Sequence, residues 1–377
     1  MGWRHRPTPH DAMALLLRLC ALGSAAGGQG LQPVSQPVPP NYILGTQEIY
    51  GGGYLYNYTD EPMLEEQRDQ VAKLGANQMK VRLSGSKTCV GYQLECDESV
   101  VDLASLSAQP GIAEMFADPR FGWYHFWLES FANPNWAKRD WTAASLAAEY
   151  AETKAWAAQM LSRYSDSGKV FMAGNWEGDW VLLGASGCSK PGGGFNLTCD
   201  PTPVVIERMV QWAQTRQRAI DDARAEAVAA GVRNVTLLYY IEMNLGPQAL
   251  APGSAGCASA SPYLVAACTS KAGITNSVLK RVNPDLVSYS SYTTTNAYAQ
   301  NGNVAEVDAL LHSTLSHVQA QLSDKPETLG YHPLGFAKRV FIGACSNTKD
   351  HRTTFSYFLC PTSEVSKALG PVIVLRR

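Results

Sequence analysis

The feature that most constrains the fold of this chain is a repeated alternation of strand and helix patterns from about residue 49 to its end. Short runs rich in β-branched and aromatic residues alternate with longer segments of helical period. Helices are predicted over 60–74, 141–163, 203–230 and 304–322. Strands are predicted over 49–56, 78–83, 122–129, 169–174, 234–244, 285–292, 339–343 and 371–375. Such units predict a parallel α/β sheet, and about eight of them predict a (β/α)8 TIM barrel. A doubly wound open sheet is the alternative, but no G-x-G-x-x-G motif opens a helix.

The N-terminal segment is typical of a secretory signal peptide. Arg4–Arg6 supplies basic residues, a short apolar run lies between Met13 and Leu22, and small residues follow up to Gly28. We therefore expect a signal peptide over 1–28, a Gly-, Pro- and Gln-rich linker over 29–40 and one domain over 41–377. The protein is expected to be secreted and extracellular.

Cysteine spacing supports an oxidising compartment independently. Outside the signal segment, eight cysteines fall into four near-neighbour pairs separated by much longer gaps. Sequential bridges are the simplest of the possible connectivities: Cys89–Cys96, Cys188–Cys199, Cys257–Cys268 and Cys345–Cys360. Three Asn-x-Thr sequons, at Asn57, Asn196 and Asn234, are candidate glycosylation sites of a secreted glycoprotein.

Composition excludes several classes of function. The formal charge is −2 and only 17% of residues are charged, with no basic stripe, so we expect no nucleic-acid partner. No apolar run reaches the roughly 18 residues that a membrane span needs. Neither a phosphate loop, a dinucleotide motif nor a metal-ligand cluster occurs, so no cofactor and no metal are expected. A serine-hydrolase elbow is also missing. We expect a monomer whose partner is a carbohydrate substrate or ligand.

The candidate site consists of polar and aromatic residues at the predicted strand ends, because active sites of such barrels lie at the carboxyl ends of their strands. Two neighbouring carboxyls suit glycosidic cleavage, since one protonates the departing oxygen while the other attacks or activates water. Glu177 and Glu242 are the candidate catalytic residues. Tryptophan faces can stack on sugar rings, and Trp123, Trp127 and Trp136 add further faces. The candidate substrate-binding residues are Arg82, His125, Glu129, Asn175, Trp176, Trp180, Asn244, Tyr289 and Tyr292.

Structural roles stay open for the same residues. A tryptophan in a barrel protein is more often part of the core than a sugar platform. The exception is the segment Trp176–Trp180, in which two tryptophans flank charged residues beside a glycine. Arg82 could pair with a glutamate as a structural contact, and His125 and Glu129 share one strand face with either role open.

On these residues the chain resembles the clan of retaining glycoside hydrolases with a (β/α)8 fold, which includes cellulase-like and mannanase-like enzymes. An Asn-Glu pair after the fourth strand carries the acid/base in that clan, and the resemblance assigns this role to Glu177, although Trp176 separates it from Asn175. Arg82 matches an arginine after the second strand. Tyr289 or Tyr292 matches a tyrosine that touches the nucleophile.

The resemblance fails at the seventh strand. The clan places its nucleophilic glutamate at the end of that strand, where this chain has Ala344. The tryptophan and the helix that usually follow the eighth strand are also missing. A barrel truncated after the eighth strand therefore stays open as an alternative. Three hypotheses follow: a glycosidase whose second carboxylate is Glu242 or Glu129, a catalytically inactive barrel that binds glycans, and an unrelated function on the same fold.

Overall fold

A computed structural model describes residues 46–47, 59–85, 87–258, 268–294, 304–325, 339–345 and 373–376 of the 377-residue chain. The chain divides into two units, Met1–Ser35 and Gln36–Arg377. The first unit lies outside the described residues, as do the expected signal peptide, the linker and the whole strand predicted over 49–56. The described strands and helices all belong to the second unit.

The second unit is built on a curled parallel sheet. Strands β2 to β7 pair in chain order, each parallel to the next. The short strands β1 and β8 pair with β2 and β7, and with each other. The strands are β1 Thr46–Gln47, β2 Gln78–Ser84, β3 Trp123–Glu129, β4 Val170–Gly174, β5 Thr236–Met243, β6 Leu286–Ser290, β7 Val340–Cys345 and β8 Ile373–Arg376.

Helices connect the strands, so the predicted alternation is confirmed. The long helices are α1 Met63–Lys73, α5 Ala143–Arg163, α7 Pro203–Ala229 and α11 Val304–Gln319. The shorter ones are α2 Lys87–Gly91, α3 Leu103–Ser107, α4 Pro110–Ala117, α6 Gly178–Ala185, α8 Gly246–Ala249, α9 Ala255–Ala258 and α10 Leu279–Val282. A 3-10 turn spans Trp136–Lys138, and a π-helical turn spans Ile274–Val278. Threonine caps begin two of the long helices: the Thr142 and Thr202 side chains each accept a hydrogen bond from a first-turn backbone N–H.

Side chains alternate between the two faces of the sheet, as strand geometry requires. The outer face packs on the helices and forms the larger core, in which Phe116, Phe126, Trp156 and Phe171 pack edge to face or stacked. The inner face is filled by a second, smaller cluster. Its members are Trp123, Val170, Met172, Leu238, Tyr240, Leu286 and Phe341. The described part of the interior is therefore packed with side chains below the strand ends.

Three of the four predicted disulfides are present. Cys89–Cys96, Cys188–Cys199 and Cys257–Cys268 join cysteines 7, 11 and 11 residues apart, in the connections that follow β2, β4 and β5. Cys360, the predicted partner of Cys345, lies outside the described residues, as does Asn57. None of the described helices is both long and apolar enough to cross a membrane.

Candidate functional site

A cleft of about 830 Å³ lies beside the carboxyl ends of β2, β3 and β4. Its volume is near the upper end of the roughly 300–1,000 Å³ typical of ligand pockets. Of the predicted site residues, Arg82, Glu129, Trp176 and Trp180 line it. The Arg82 guanidinium donates a hydrogen bond from Nη2 to Glu129 Oε1 at 2.6 Å, and both side chains are partly exposed. The cleft therefore combines a charged pair with aromatic walls.

The loop Asn175–Trp180, between β4 and the second turn of α6, supplies one wall of the cleft. Its first residue is held on the end of β5. Asn175 Nδ2 donates to the carbonyl oxygen of Glu242 at 3.2 Å, and Asn175 Oδ1 accepts from the Glu242 backbone N–H at 3.1 Å. The Glu177 backbone N–H donates to Glu242 Oε1 at 3.2 Å. Glu177 itself has φ 20° and ψ 70°, in the sparsely populated region of positive φ.

Asp179 completes the attachment of this loop. Its carboxylate accepts hydrogen bonds from the backbone N–H groups of Asn244, Leu245 and Ile274, at 2.8–3.1 Å. Its own N–H donates to Asn244 Oδ1 at 3.2 Å. Burial raises the pKa of Asp179, although these N–H groups favour its charged form. The odd-numbered residues of the loop thus fix it on β5, which leaves Trp176 and Trp180 facing the cleft.

The two tryptophans of the loop differ in accessibility. Trp176 is 40% exposed, so part of its indole ring is accessible from the cleft. Trp180 is half-buried and stacks on Phe195, with ring centroids 5.0 Å apart and planes 5° apart. Trp176 is therefore the better candidate for a free stacking surface.

Phe195 belongs to a loop closed by Cys188–Cys199. Lys271 holds this loop from the other side: its ammonium donates to the carbonyl oxygens of Leu197 and Cys199, at 3.0 and 2.6 Å, and lies 3.3 Å from Asp200 Oδ1. Because Lys271 lies just after Cys268, it connects the loops of two disulfides. The wall that carries Phe195 is thereby covalently and electrostatically restrained.

A buried ion pair between helices α5 and α7 supports Trp212, which lines the cleft. Glu149 accepts from Trp212 Nε1 at 3.1 Å and pairs with Arg216 at 3.2 Å, and it also accepts from Ser130 and Asn133 of the loop after β3. Trp212 stacks on Trp136, which lines the cleft, with centroids 4.6 Å apart. Neither Glu149 nor Trp212 was among the predicted site residues, because nothing in their helical pattern distinguishes them from other core positions.

Glu242, the second predicted catalytic residue, is fully enclosed. Its Oε2 accepts from Trp127 Nε1 at 3.1 Å and from Ser288 Oγ at 3.2 Å, and it forms a close ion pair with Lys80. Its exposed fraction is 0%, and that of Lys80 is 1%. Lys80 was not among the predicted site residues, although its alternation with Gln78 and Arg82 on β2 marks a polar inner face.

The other predicted residues are distributed around this centre. His125 is buried on the inner face between the rings of Tyr240 and Phe341, and neither ring nitrogen has a hydrogen-bond partner among the described residues. Burial lowers its pKa well below the usual value, and the charge of Lys80 lowers it further. Tyr289 is buried and its hydroxyl lies 2.7 Å from Thr294 Oγ1. Tyr292 is half-buried.

The end of β7 carries no acidic side chain. Arg339 to Cys345 contains neither Asp nor Glu, and Ala344 is buried. The Lys80 ammonium donates instead to the carbonyl oxygen of Gly343 at 3.3 Å. Among the described residues, no group of three or more His, Cys, Asp or Glu side chains is arranged to hold a metal ion.

Neither a protein-family model nor a curated protein sequence matches this chain. Among solved structures, it is similar to a GH5-4 broad specificity endoglucanase from an uncultured bacterium, with 10% identity, 89% of this chain and 87% of that one covered, and a TM-score of 0.40. It is also similar to a D-psicose 3-epimerase crystallised in the presence of D-fructose, with 12% identity, coverages of 89% and 84%, and a TM-score of 0.34. Similarities at this level assign no activity to this chain.

Proposed function

We propose that this chain is a carbohydrate-binding protein with a glycoside-hydrolase-like fold, and that it holds a poly- or oligosaccharide in the cleft beside β2, β3 and β4. The observation that carries the proposal is Trp176, which is 40% exposed within a cleft of about 830 Å³ while its neighbours in the chain are fixed by buried hydrogen bonds. An indole face presented in this way suits the apolar face of a pyranose ring. Arg82 and Glu129 then supply a donor and an acceptor for sugar hydroxyls.

The proposal extends to the setting of the protein. We infer a (β/α)8-type barrel closed through its eight strands within residues 41–377, and secretion after removal of residues 1–28. We also infer glycosylation at Asn57, Asn196 and Asn234, and a monomeric state. The disulfides support the extracellular setting, because such bridges form and persist in oxidising compartments. Asn196 is exposed on the Cys188–Cys199 loop, which supports its modification.

Hydrolysis at Glu177 is the second candidate function. The observation that favours it is the positive φ of Glu177 at the carboxyl end of β4, since strained backbone clusters at active sites. Glu177 would act as general acid/base. Its partner would be Glu129, because that carboxylate lines the cleft whereas Glu242 is enclosed. Retaining chemistry requires the two carboxyls to be roughly 5–5.5 Å apart, and inverting chemistry roughly 6.5–9.5 Å.

One experiment tests both functions. The protein is titrated calorimetrically with cello-, manno-, xylo- and laminari-hexaose, and each mixture is then assayed for released reducing sugar. Trp176→Ala should weaken binding by about 2 kcal/mol, or roughly thirtyfold in Kd, because it removes the stacking face. Trp176→Phe should keep most of the affinity. The matched control is Leu74→Ala, which truncates a similarly exposed apolar residue outside the cleft lining.

The outcomes separate the two functions. Binding without sugar release supports the binding protein, and release that Glu177→Gln abolishes while binding persists supports the hydrolase. Equal affinity in wild type and Trp176→Ala contradicts the assignment of the cleft.

A further inference from the structure

We propose that Lys80 and Glu242 are positioning residues, which hold the Asn175–Trp180 loop and thereby keep Trp176 exposed in the cleft. This inference rests on the proposed function, because it assigns a purpose to the shape of the proposed ligand site. It gives a role to Lys80, which the sequence pattern did not single out. It also changes the role of Glu242 from reacting carboxylate to support.

Glu242 is badly placed for chemistry on a ligand. Its side chain is fully enclosed, and both carboxylate oxygens accept hydrogen bonds from groups of the protein. A nucleophile or base must bring an oxygen within about 3 Å of the reacting atom. To do so, Glu242 would have to break these hydrogen bonds and its ion pair with Lys80. A buried pair of this kind is costly to form and costly to break.

The Lys80 ammonium group, on β2, contacts residues of three other strands. From β2 it pairs with Glu242 on β5, donates to the Gly343 carbonyl oxygen on β7 and lies 4.6 Å from the ring centroid of Trp127 on β3. Ser288 on β6 completes the set through its bond to Glu242. Gly343 makes room for Ser288, because a β-carbon at Gly343 would collide with the Ser288 hydroxyl. The network therefore fixes the position of Glu242 relative to most of the sheet.

Glu242 in turn fixes the Asn175–Trp180 loop through three hydrogen bonds. Its Oε1 accepts from the Glu177 N–H, and its backbone N–H and C=O both bond the Asn175 side chain. Trp176 lies between these two attached residues. A residue at positive φ, like Glu177, keeps that conformation only where the surroundings enforce it. Removal of the carboxylate breaks the hydrogen bond that it accepts from the Glu177 N–H, so we expect the turn to relax and Trp176 to move.

The test uses the double variant Lys80→Met with Glu242→Leu, which removes both charges together, leaves neither buried alone and abolishes the hydrogen bond that Oε1 accepts from the Glu177 N–H. The protein is labelled with 5-fluorotryptophan, and the ¹⁹F resonance of Trp176 is assigned by its loss in Trp176→Phe. We expect the Trp176 resonance to shift or broaden in the double variant. The resonance of Trp156, which is buried on α5, should stay in place. The Kd for the tightest-binding hexaose should rise at least tenfold.

The matched control is Lys154→Met with Glu226→Leu, a surface pair outside the cleft with an N–O distance of 2.6 Å. It should leave the Trp176 resonance and the Kd unchanged. If the double variant does not fold, Ser288→Ala and Trp127→Phe each remove one bond to Glu242 without stranding a charge. They should move the Trp176 resonance in the same direction by smaller amounts.

An unchanged Trp176 resonance in folded variants that lack these bonds overturns the positioning role. A wild-type protein that binds none of the hexaoses contradicts the proposed function instead, and the resonance still tests the positioning.

Discussion

Three glutamates near the strand ends have three different environments. Glu242 is enclosed by donors, Glu177 is buried with strained backbone, and Glu129 lines the cleft beside Arg82. These environments rank the three carboxylates by their access to a ligand, because a carboxylate must reach the ligand to exchange a proton or a hydrogen bond with it. Glu129 is thus the acid most available to a bound sugar, and Glu242 the least.

His125 gives a prediction at the same scale. Its buried ring lacks hydrogen-bond partners among the described residues and its pKa is well below 6.5, so it is neutral in the folded protein but becomes charged on unfolding in acid. Its contribution to stability is therefore complete above pH 6.5 and is lost as the pH falls from there toward the folded-state pKa, at up to about 1.4 kcal/mol per pH unit. His125→Phe should remove this loss. Urea unfolding at pH 7.5 and 5.5 measures it, and an equal acid sensitivity in both proteins would contradict the argument.

The candidate site residues could be predicted from sequence only as far as alternation and strand-end position allow. These signals brought out Arg82, Glu129 and Trp176, all of which line the cleft. They could not show that Glu242 is enclosed, because its partners Lys80, Trp127 and Ser288 come from three other strands. Such contacts depend on register and curvature, which local patterns do not contain.

Among the elements, helix α6 shows how closely a short helix can be fitted to its surroundings. It begins against the end of β5 and ends near Phe195, and both its first and its seventh residues are glycines. A β-carbon at Gly178 would lie 2.8 Å from the Glu242 carbonyl oxygen and 2.9 Å from Ile274 Cδ1. At Gly184 the nearest atom would be Phe195 Cε1 at 3.4 Å, an ordinary contact.

These two glycines form a matched pair for a test. Gly178→Ala should destabilise the protein by about 1–3 kcal/mol, because the backbone carbonyl that it meets cannot move aside. Gly184→Ala should stabilise it by up to about 1 kcal/mol through helix propensity. Both values are differences in the free energy of unfolding by urea. A neutral Gly178→Ala would show that the contact between α6 and β5 yields easily.

The long elements follow closely from sequence, whereas α6 does not. Helices α5 and α7 and strands β2 to β7 lie within about two residues of their predicted bounds, because each has a strong period and clear end signals. Helix α6 has eight residues, two of them glycine and two acidic or aromatic, so no periodic pattern marks it. Its helicity comes from the attachment of Asp179 to β5 and to Ile274.

At the scale of the molecule, the two ends of the sheet are held by different means. At the amino end of β6, Asp285 pairs with Arg224 and Lys325; burial alone would raise its pKa, but these charges hold it well below the usual value. At the carboxyl ends, the loops are held by disulfides and by Lys271. This division suits a protein in which one end carries stability and the other a binding surface.

Removing each of the two disulfides of equal sequence separation tests whether the carboxyl ends of the strands form the binding surface. Cys188–Cys199 and Cys257–Cys268 both have a sequence separation of 11, so the chain-entropy model gives each a contribution of about 3 kcal/mol. The double variants Cys188→Ser/Cys199→Ser and Cys257→Ser/Cys268→Ser should therefore lose similar free energies of unfolding, while far-UV circular dichroism at 25 °C shows an intact sheet. The former removes the covalent closure of the loop that carries Phe195, which stacks on Trp180 in the cleft wall, so it should weaken hexaose binding more. Wild-type affinity in Cys188→Ser/Cys199→Ser would mean that this loop forms no part of the ligand site.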